Sequence, residues 1–294
     1  MMGKVKSGYY KHFKGNIYRV LFEVKHTETC EDMVVYQAMY GNGDIWARPK
    51  SMFRLDEGRF TEIDDHEAEK QIPLYLNPKY NFPNIEYVPE LVDLMDKDLL
   101  SSPVKAMITL LSKKNIITQD FCAGFKKDDD VEKEILRRIK EYSPGDNLEE
   151  IFHLIQIWGG ATGRYIYIFD GGFSWHTVSE QYTKLVDTCL SISSISNSAI
   201  NKLVDAVNEF DKAVAHMGIA FITKHTRFWL NRTLGNNALP IYDSIMANFV
   251  MRKNSVETKH LSEYWSVMIA KAQQLGIGLM PLERQIFKYA YEQR

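Results

Sequence analysis

The sequence predicts a mainly α-helical protein preceded by a small β-rich module, and three observations predict it. Runs of Val, Ile, Tyr and Phe broken by polar or glycine-containing turns are confined to the first sixty residues. From about residue 88 apolar residues recur with the 3.6-residue helical period. Between the two lies a proline-rich, acidic stretch that suits neither pattern.

The β module is expected over residues 1–60, where "NIYRVLFEVKH", "DMVVYQAMYG" and "DIWARPKSMFR" read as strands and "GNGD" as a hairpin turn. Residues 61–87, "TEIDDHEAEKQIPLYLNPKYNFPNIEY", are read as an irregular connector. The segments "LVDLMDKDLLSSPVKAMITLLSK", "DVEKEILRRIKEY", "NLEEIFHLIQIW" and "AINKLVDAVNEFDKAVAHM" place helices across a domain at 88–294.

At 294 residues, 45% hydrophobic and 25% charged, the chain has ample material for two cores. No apolar run reaches the ~18 residues a membrane span needs, and the opening "MMGKVKSGYYKHF" lacks the apolar segment of a secretion signal. A cytoplasmic protein with no membrane partner is expected. Cys30, Cys122 and Cys189 are far apart and form no CxxC pair, so reduced, mostly buried thiols are expected rather than a disulfide framework. The eight histidines show no metal-ligand spacing and no phosphate-binding glycine loop occurs, so neither metal nor cofactor is predicted.

The formal net charge of −2 hides an uneven distribution. Residues 61–100 hold three Lys/Arg against ten Asp/Glu, whereas 201–294 hold twelve against eight. The C-terminal part is therefore the one suited to face a polyanion.

In the β module, "GYYKHFKGNIYRV", "VVYQAMYG" and "WARPKSMF" resemble a short bacterial domain of unknown function, a likeness that brings no chemistry. Tyr10, His12, Lys14, Trp46 and Arg48 mix aromatic and basic groups. They suit either a face for nucleotides or nucleic acid, or the module's own core.

The stretch "FITKHTRFWLNRTLGNNALPIYDSI" carries the chemistry. Lys224 follows the turn-like "HMGIAFIT", and Asp243 precedes the apolar "SIMANFVM" as an N-cap would. A lysine amine of lowered pKa attacks an electrophilic carbon, and a nearby carboxylate stabilises positive charge on a sugar ring. Alternatively, the first is a solvated charge and the second only a cap.

Residues 212–250 resemble the catalytic core of the helix-hairpin-helix DNA glycosylases, in the branch similar to 8-oxoguanine DNA glycosylase. There a hairpin ending in Thr-Lys or Ser-Lys is followed nineteen residues later by an aspartate in a Pro-X-X-Asp or Pro-X-Asp setting; here "ITK" ends at Lys224 and "LPIYD" at Asp243. "IQIWGGATGR" at 155–164 and "LERQIFKYAYE" at 282–292 are similar to stretches of bacterial relatives with that fold. The usual Leu-Pro-Gly-X-Gly hairpin is altered, since Gly218 is kept but Ala220, Phe221 and Ile222 stand where a second glycine is expected. Phosphate contact is then expected from a helix beginning near Thr223.

The resemblance implies that the chain binds duplex DNA, extrudes a modified base, and breaks its glycosidic bond by attack of Lys224 on C1′ with Asp243 in support. The base is an 8-oxoguanine-like purine or a hypermodified phage base, and cleavage of the abasic strand is a possible companion activity. His225, Arg227 and Arg232 are expected to contact phosphates, or else to form a polar helix face. Trp158, Gly159 and Gly160 suit a close approach of backbone to DNA or a base pocket, or else a helix-ending turn, and Arg164 is expected to contact DNA. Trp229 offers a ring for stacking, or core. Two other functions are consistent with the same residues: a catalytically silent DNA-binding protein of this fold, and an interaction scaffold.

Overall fold

The computed structural model describes residues 5–53, 57–83, 99–160 and 174–293. The chain divides into two compact units, residues 1–80 with 273–275, and 81–272 with 276–294.

The first unit is built on a five-stranded antiparallel sheet in the order β4-β3-β2-β1-β5. Its strands are β1 (Gly8–His12), β2 (Ile17–Lys25), β3 (Asp32–Ala38), β4 (Ile45–Pro49) and β5 (Phe60–Ile63). Alternation decides the two faces. Tyr10, Val20, Val34, Tyr36, Phe53 and Phe60 form one core cluster. On the other face Tyr9, Ile17 and Met39 pack with Ala68 of the helix α1 (Asp65–Gln71) and with Ile72, which caps its C-terminus. The β3–β4 hairpin needs its glycines: Gly43 has φ +73°, and a Cβ there would stand 2.5 Å from Leu76 Cδ2.

This corrects the connector. Residues 60–63 form an edge strand paired with β1, and 65–71 form a helix. Asp64 caps that helix, accepting from the His66 and Glu67 amides at 2.9 and 3.3 Å. Asp64 with Glu67 three residues on has the spacing of a capping signature, which the acidic composition masked.

The second unit is helical. It contains α2 (Ser102–Lys113), α3 (Asp128–Glu141), α4 (Glu149–Gly159), α5 (Trp175–Leu190), α6 (Asn197–Ala213), α7 (Gly218–Leu234), α8 (Ser244–Phe249), α9 (Leu261–Leu275, whose last three residues belong to the first unit) and α10 (Leu279–Glu292). Most of these helices follow ordinary amphipathic logic. In α3, for example, Val131, Ile135 and Ile139 bury one stripe, three aspartates stand in the first turn, and Arg138 and Lys140 lie in the last.

The exception is α7, in which every residue from Ile219 to Leu230 is buried except Lys224. It packs against α3, α4, α5 and α6, so no broad face is left for water. Val214–Met217 join α6 to α7 as a short hairpin, and Gly218 enters α7 with φ +68°. Only glycine adopts that angle without strain.

Candidate catalytic site

Helix α7 begins at Gly218, so Thr223 and Lys224 lie in its second turn rather than at its start. The expectation of a helix beginning near Thr223, with amides aimed at a phosphate, is corrected accordingly. The apolar run "GIAFI" is helix, because buried neighbours on four sides favour apolar residues all round.

Thr223 organises the site. Its hydroxyl lies within bonding distance of the Ile219 and Ala220 carbonyls, at 2.9 and 3.1 Å, satisfied inside its own helix. The same oxygen accepts the amide of Tyr242 at 3.1 Å. This bond fastens the 235–243 loop to α7, and the next residue on each side is Lys224 and Asp243.

Lys224 Nζ lies 4.2 Å from the centroid of the Phe221 ring and donates to the Gly159 carbonyl at 3.3 Å. Burial pushes its pKa down to about 8, while the charges of Asp243 and Glu283 pull the other way. A lysine in this range holds roughly a tenth of its amines neutral at pH 7, against well under a thousandth for a solvated one.

Asp243 caps α8 as the sequence suggested. Its Oδ1 accepts from the Ile245 and Met246 amides, both at 2.9 Å. That fixes the carboxylate at the end of the loop, partly exposed.

Gly159 and Gly160 end α4 and shape the wall beneath Lys224. Gly160 is the cap, with φ +73°. A Cβ at Gly159 would meet Phe221 Cε1 at 2.6 Å, and one at Gly160 would meet Pro103 Cβ at 2.7 Å. Gly160 thus ends the helix, the turn-forming role weighed from sequence, and both glycines allow α4 to approach α7 and α2 closely.

The remaining expected DNA contacts are placed elsewhere. His225 is fully buried, with Nδ1 2.8 Å from Tyr182 Oη and Nε2 3.0 Å from Gln156 Nε2. Burial, then the Lys224 charge, holds it well below the ordinary histidine pKa and hence neutral. Trp229 is equally buried and donates from Nε1 to Tyr182 Oη at 2.8 Å. Arg227 is 2% exposed; its Nε donates to Glu283 Oε2 at 3.0 Å, and Trp158 and Phe228 flank the guanidinium. Arg232 donates from Nη1 to the Ile139 and Tyr142 carbonyls, at 2.9 and 2.7 Å. There it caps the carbonyl end of α3, where a cation is favoured.

Phosphate contact by His225 and Arg227, and base stacking by Trp229, are thus corrected to internal roles. The physical reason is the central position of α7. Trp158 is half-buried against Phe228 at 4.9 Å and Arg227, and Arg164 lies outside the described residues.

One residue of the site was missed. Glu283, in α10, accepts from Arg227 through Oε2 and from the Ile241 amide at 2.7 Å through Oε1. It therefore ties α7 to the same loop that Thr223 holds. Its sequence signal was present: Glu283 follows Leu279 by four and precedes Ile286 by three, so it sits on the apolar stripe of its helix.

Fold and site together define a helical domain in which a helix-borne lysine of lowered pKa lies within electrostatic reach of a loop-borne aspartate, following a small β module. Compared with known families, the chain matches one model, "Protein of unknown function (DUF1653)", over residues 8–60. No curated protein and no solved structure matches the chain. Among the described residues no helix is long and apolar enough to cross a membrane, and no cluster of His, Cys, Asp or Glu is placed to hold a metal ion.

Proposed function

We propose that this chain is a DNA N-glycosylase of the helix-hairpin-helix kind, acting on duplex DNA that carries a modified base. The observation that supports this reading most is the Thr223–Tyr242 bond, which sets Lys224 and Asp243 one residue beyond a shared anchor. The lowered pKa of Lys224 supplies the neutral amine that attack requires.

In the proposed reaction, the target nucleotide is turned out of the duplex. Lys224 Nζ attacks C1′, the glycosidic bond breaks, and its electron pair leaves with the base. Asp243 stabilises the positive charge that develops on the sugar. The lysine adduct then opens to a Schiff base, from which loss of a C2′ proton expels the 3′ phosphate and cuts the strand.

Borohydride trapping on a panel of duplexes tests this directly. The panel contains 8-oxoguanine and glucosylated cytosine, with an unmodified duplex as control. A covalent adduct is expected with one modified duplex, absent for Lys224→Ala and reduced for Asp243→Asn. Neither adduct nor base loss on any duplex would overturn the proposal.

A further inference from the structure

The catalytic reading makes no use of the β module, yet its sheet carries an unusual surface. On the face that bears Tyr10 and Tyr36, aromatic rings continue outward past the core. Tyr36 meets Tyr18 at 5.5 Å, Tyr18 meets His12 at 6.2 Å, and His12 meets Phe13 at 4.4 Å between ring centroids. Tyr40 joins the row through a 2.8 Å contact between its hydroxyl and that of Tyr18. Trp46 stands directly opposite Tyr36 on the β3–β4 ladder, at the other end.

Burial separates this row from a core. Tyr36 is 6% exposed, but Trp46 is 54%, Phe13 67% and Tyr40 41% exposed. The module closes its interior with Tyr10, Phe53 and Phe60 and leaves these three rings in water. Leaving large rings exposed on so small a unit marks an interaction surface.

Cations gather at the His12 end of the row. Arg59, Lys14 and Arg48 all act on His12 and, after burial, lower its pKa, and no carboxylate is among the groups acting on it. Lys14 Nζ sits 5.8 Å from the Phe13 centroid. Arg59 is continuous with the same corner, since its carbonyl accepts the Phe13 amide at 3.1 Å. One carboxylate, Glu62, stands directly across from Tyr10 on β5.

We propose that the module binds single-stranded nucleic acid across this face. Bases stack on Trp46, Tyr40 and Phe13 while Lys14, Arg48 and Arg59 contact the phosphates between them. Stacking planes flanked by cations suit unpaired bases, because a duplex hides its base faces and offers only its backbone. The alternative occupant, an acidic protein segment, would use the cations but leave the rings without a planar partner.

Fluorescence anisotropy of the full-length protein tests this, with labelled oligothymidylate, oligouridylate, a duplex and polyglutamate as probes. A single strand is expected to bind far more tightly than polyglutamate, and its binding, unlike that of the duplex, is expected to depend on Trp46 and Phe13. The ranking of the two single strands tells DNA from RNA. Trp46→Ala and Phe13→Ala are each expected to weaken binding by roughly tenfold, within the range for loss of one stacked base. Arg48→Ala should flatten the dependence of log affinity on log salt by about 0.7.

Lys224→Ala is expected to lose adduct trapping and Trp46→Ala to keep it, so failure of this inference and failure of the catalytic proposal are distinguishable. Circular dichroism confirms that the surface variants fold. Binding that survives both ring substitutions, equal binding of polyglutamate, or no binding of either single strand would overturn the inference.

Discussion

The amide of Tyr242 donates to the hydroxyl of Thr223 across 3.1 Å, between two residues that are both fully buried. Nineteen residues of helix and loop separate them, and the bond closes that excursion just before Lys224 and Asp243. Thr223→Val keeps the shape but removes the acceptor. A buried amide left without a partner costs about 1–3 kcal/mol. Thermal denaturation should show that loss, and trapping should fall further than stability does, because the loop carrying Asp243 is no longer fastened. Thr223→Ser should restore both. Full trapping by the valine variant would remove this bond from the positioning of the pair.

The lowered pKa of Lys224 ties stability to pH and, in the proposed reaction, the rate as well. Its folded pKa of about 8 lies below the unfolded value. Below pH 8 both states hold the proton, and the native state bears the cost of the buried charge. Between about pH 8 and 10 the unfolded chain keeps a proton that the native chain has released, so the group's contribution to stability rises with pH. Lys224→Met should therefore be more stable than the wild type at pH 7, on the order of 2–3 kcal/mol. The difference should shrink as pH rises. Denaturant unfolding at pH 7 and 9.5 checks this, and the rate of adduct formation should climb with an apparent pKa near 8.

Arg227 and Glu283 make the second tie. Glu283→Ala leaves the buried guanidinium with only the longer 3.7 Å contact to Glu132 and frees the Ile241 amide, and a loss toward the lower end of roughly 3–5 kcal/mol is expected. Replacing both partners with apolar residues, Arg227→Met with Glu283→Leu, should cost less than either single change. Chemical denaturation of the three variants decides the point. An additive double variant would show that the 3.0 Å contact contributes no coupling.

Local patterns carried much of the architecture. The strands at 17–25, 32–38 and 45–49 follow from β-branched and aromatic runs bounded by turns, and α3 and α6 from clean helical stripes capped at their ends. The Asp243 cap was equally legible, because a cap is a bond between near neighbours. Residues 61–71 were misread because composition outweighed the capping spacing at Asp64 and Glu67.

What the sequence determined by itself was the division into a β module and a helical domain, and the candidacy of Lys224 and Asp243 by type and spacing. Tertiary structure alone decided the environment of α7. His225, Arg227 and Trp229 read as a polar and aromatic helix face, and nothing within the helix tells such a face from an interior one. Four packed helices make it interior and turn these residues into internal bonds to Tyr182, Gln156 and Glu283. The same packing desolvates the Lys224 amine, because its pKa depends on the neighbours that surround it and not on the residues that precede or follow it.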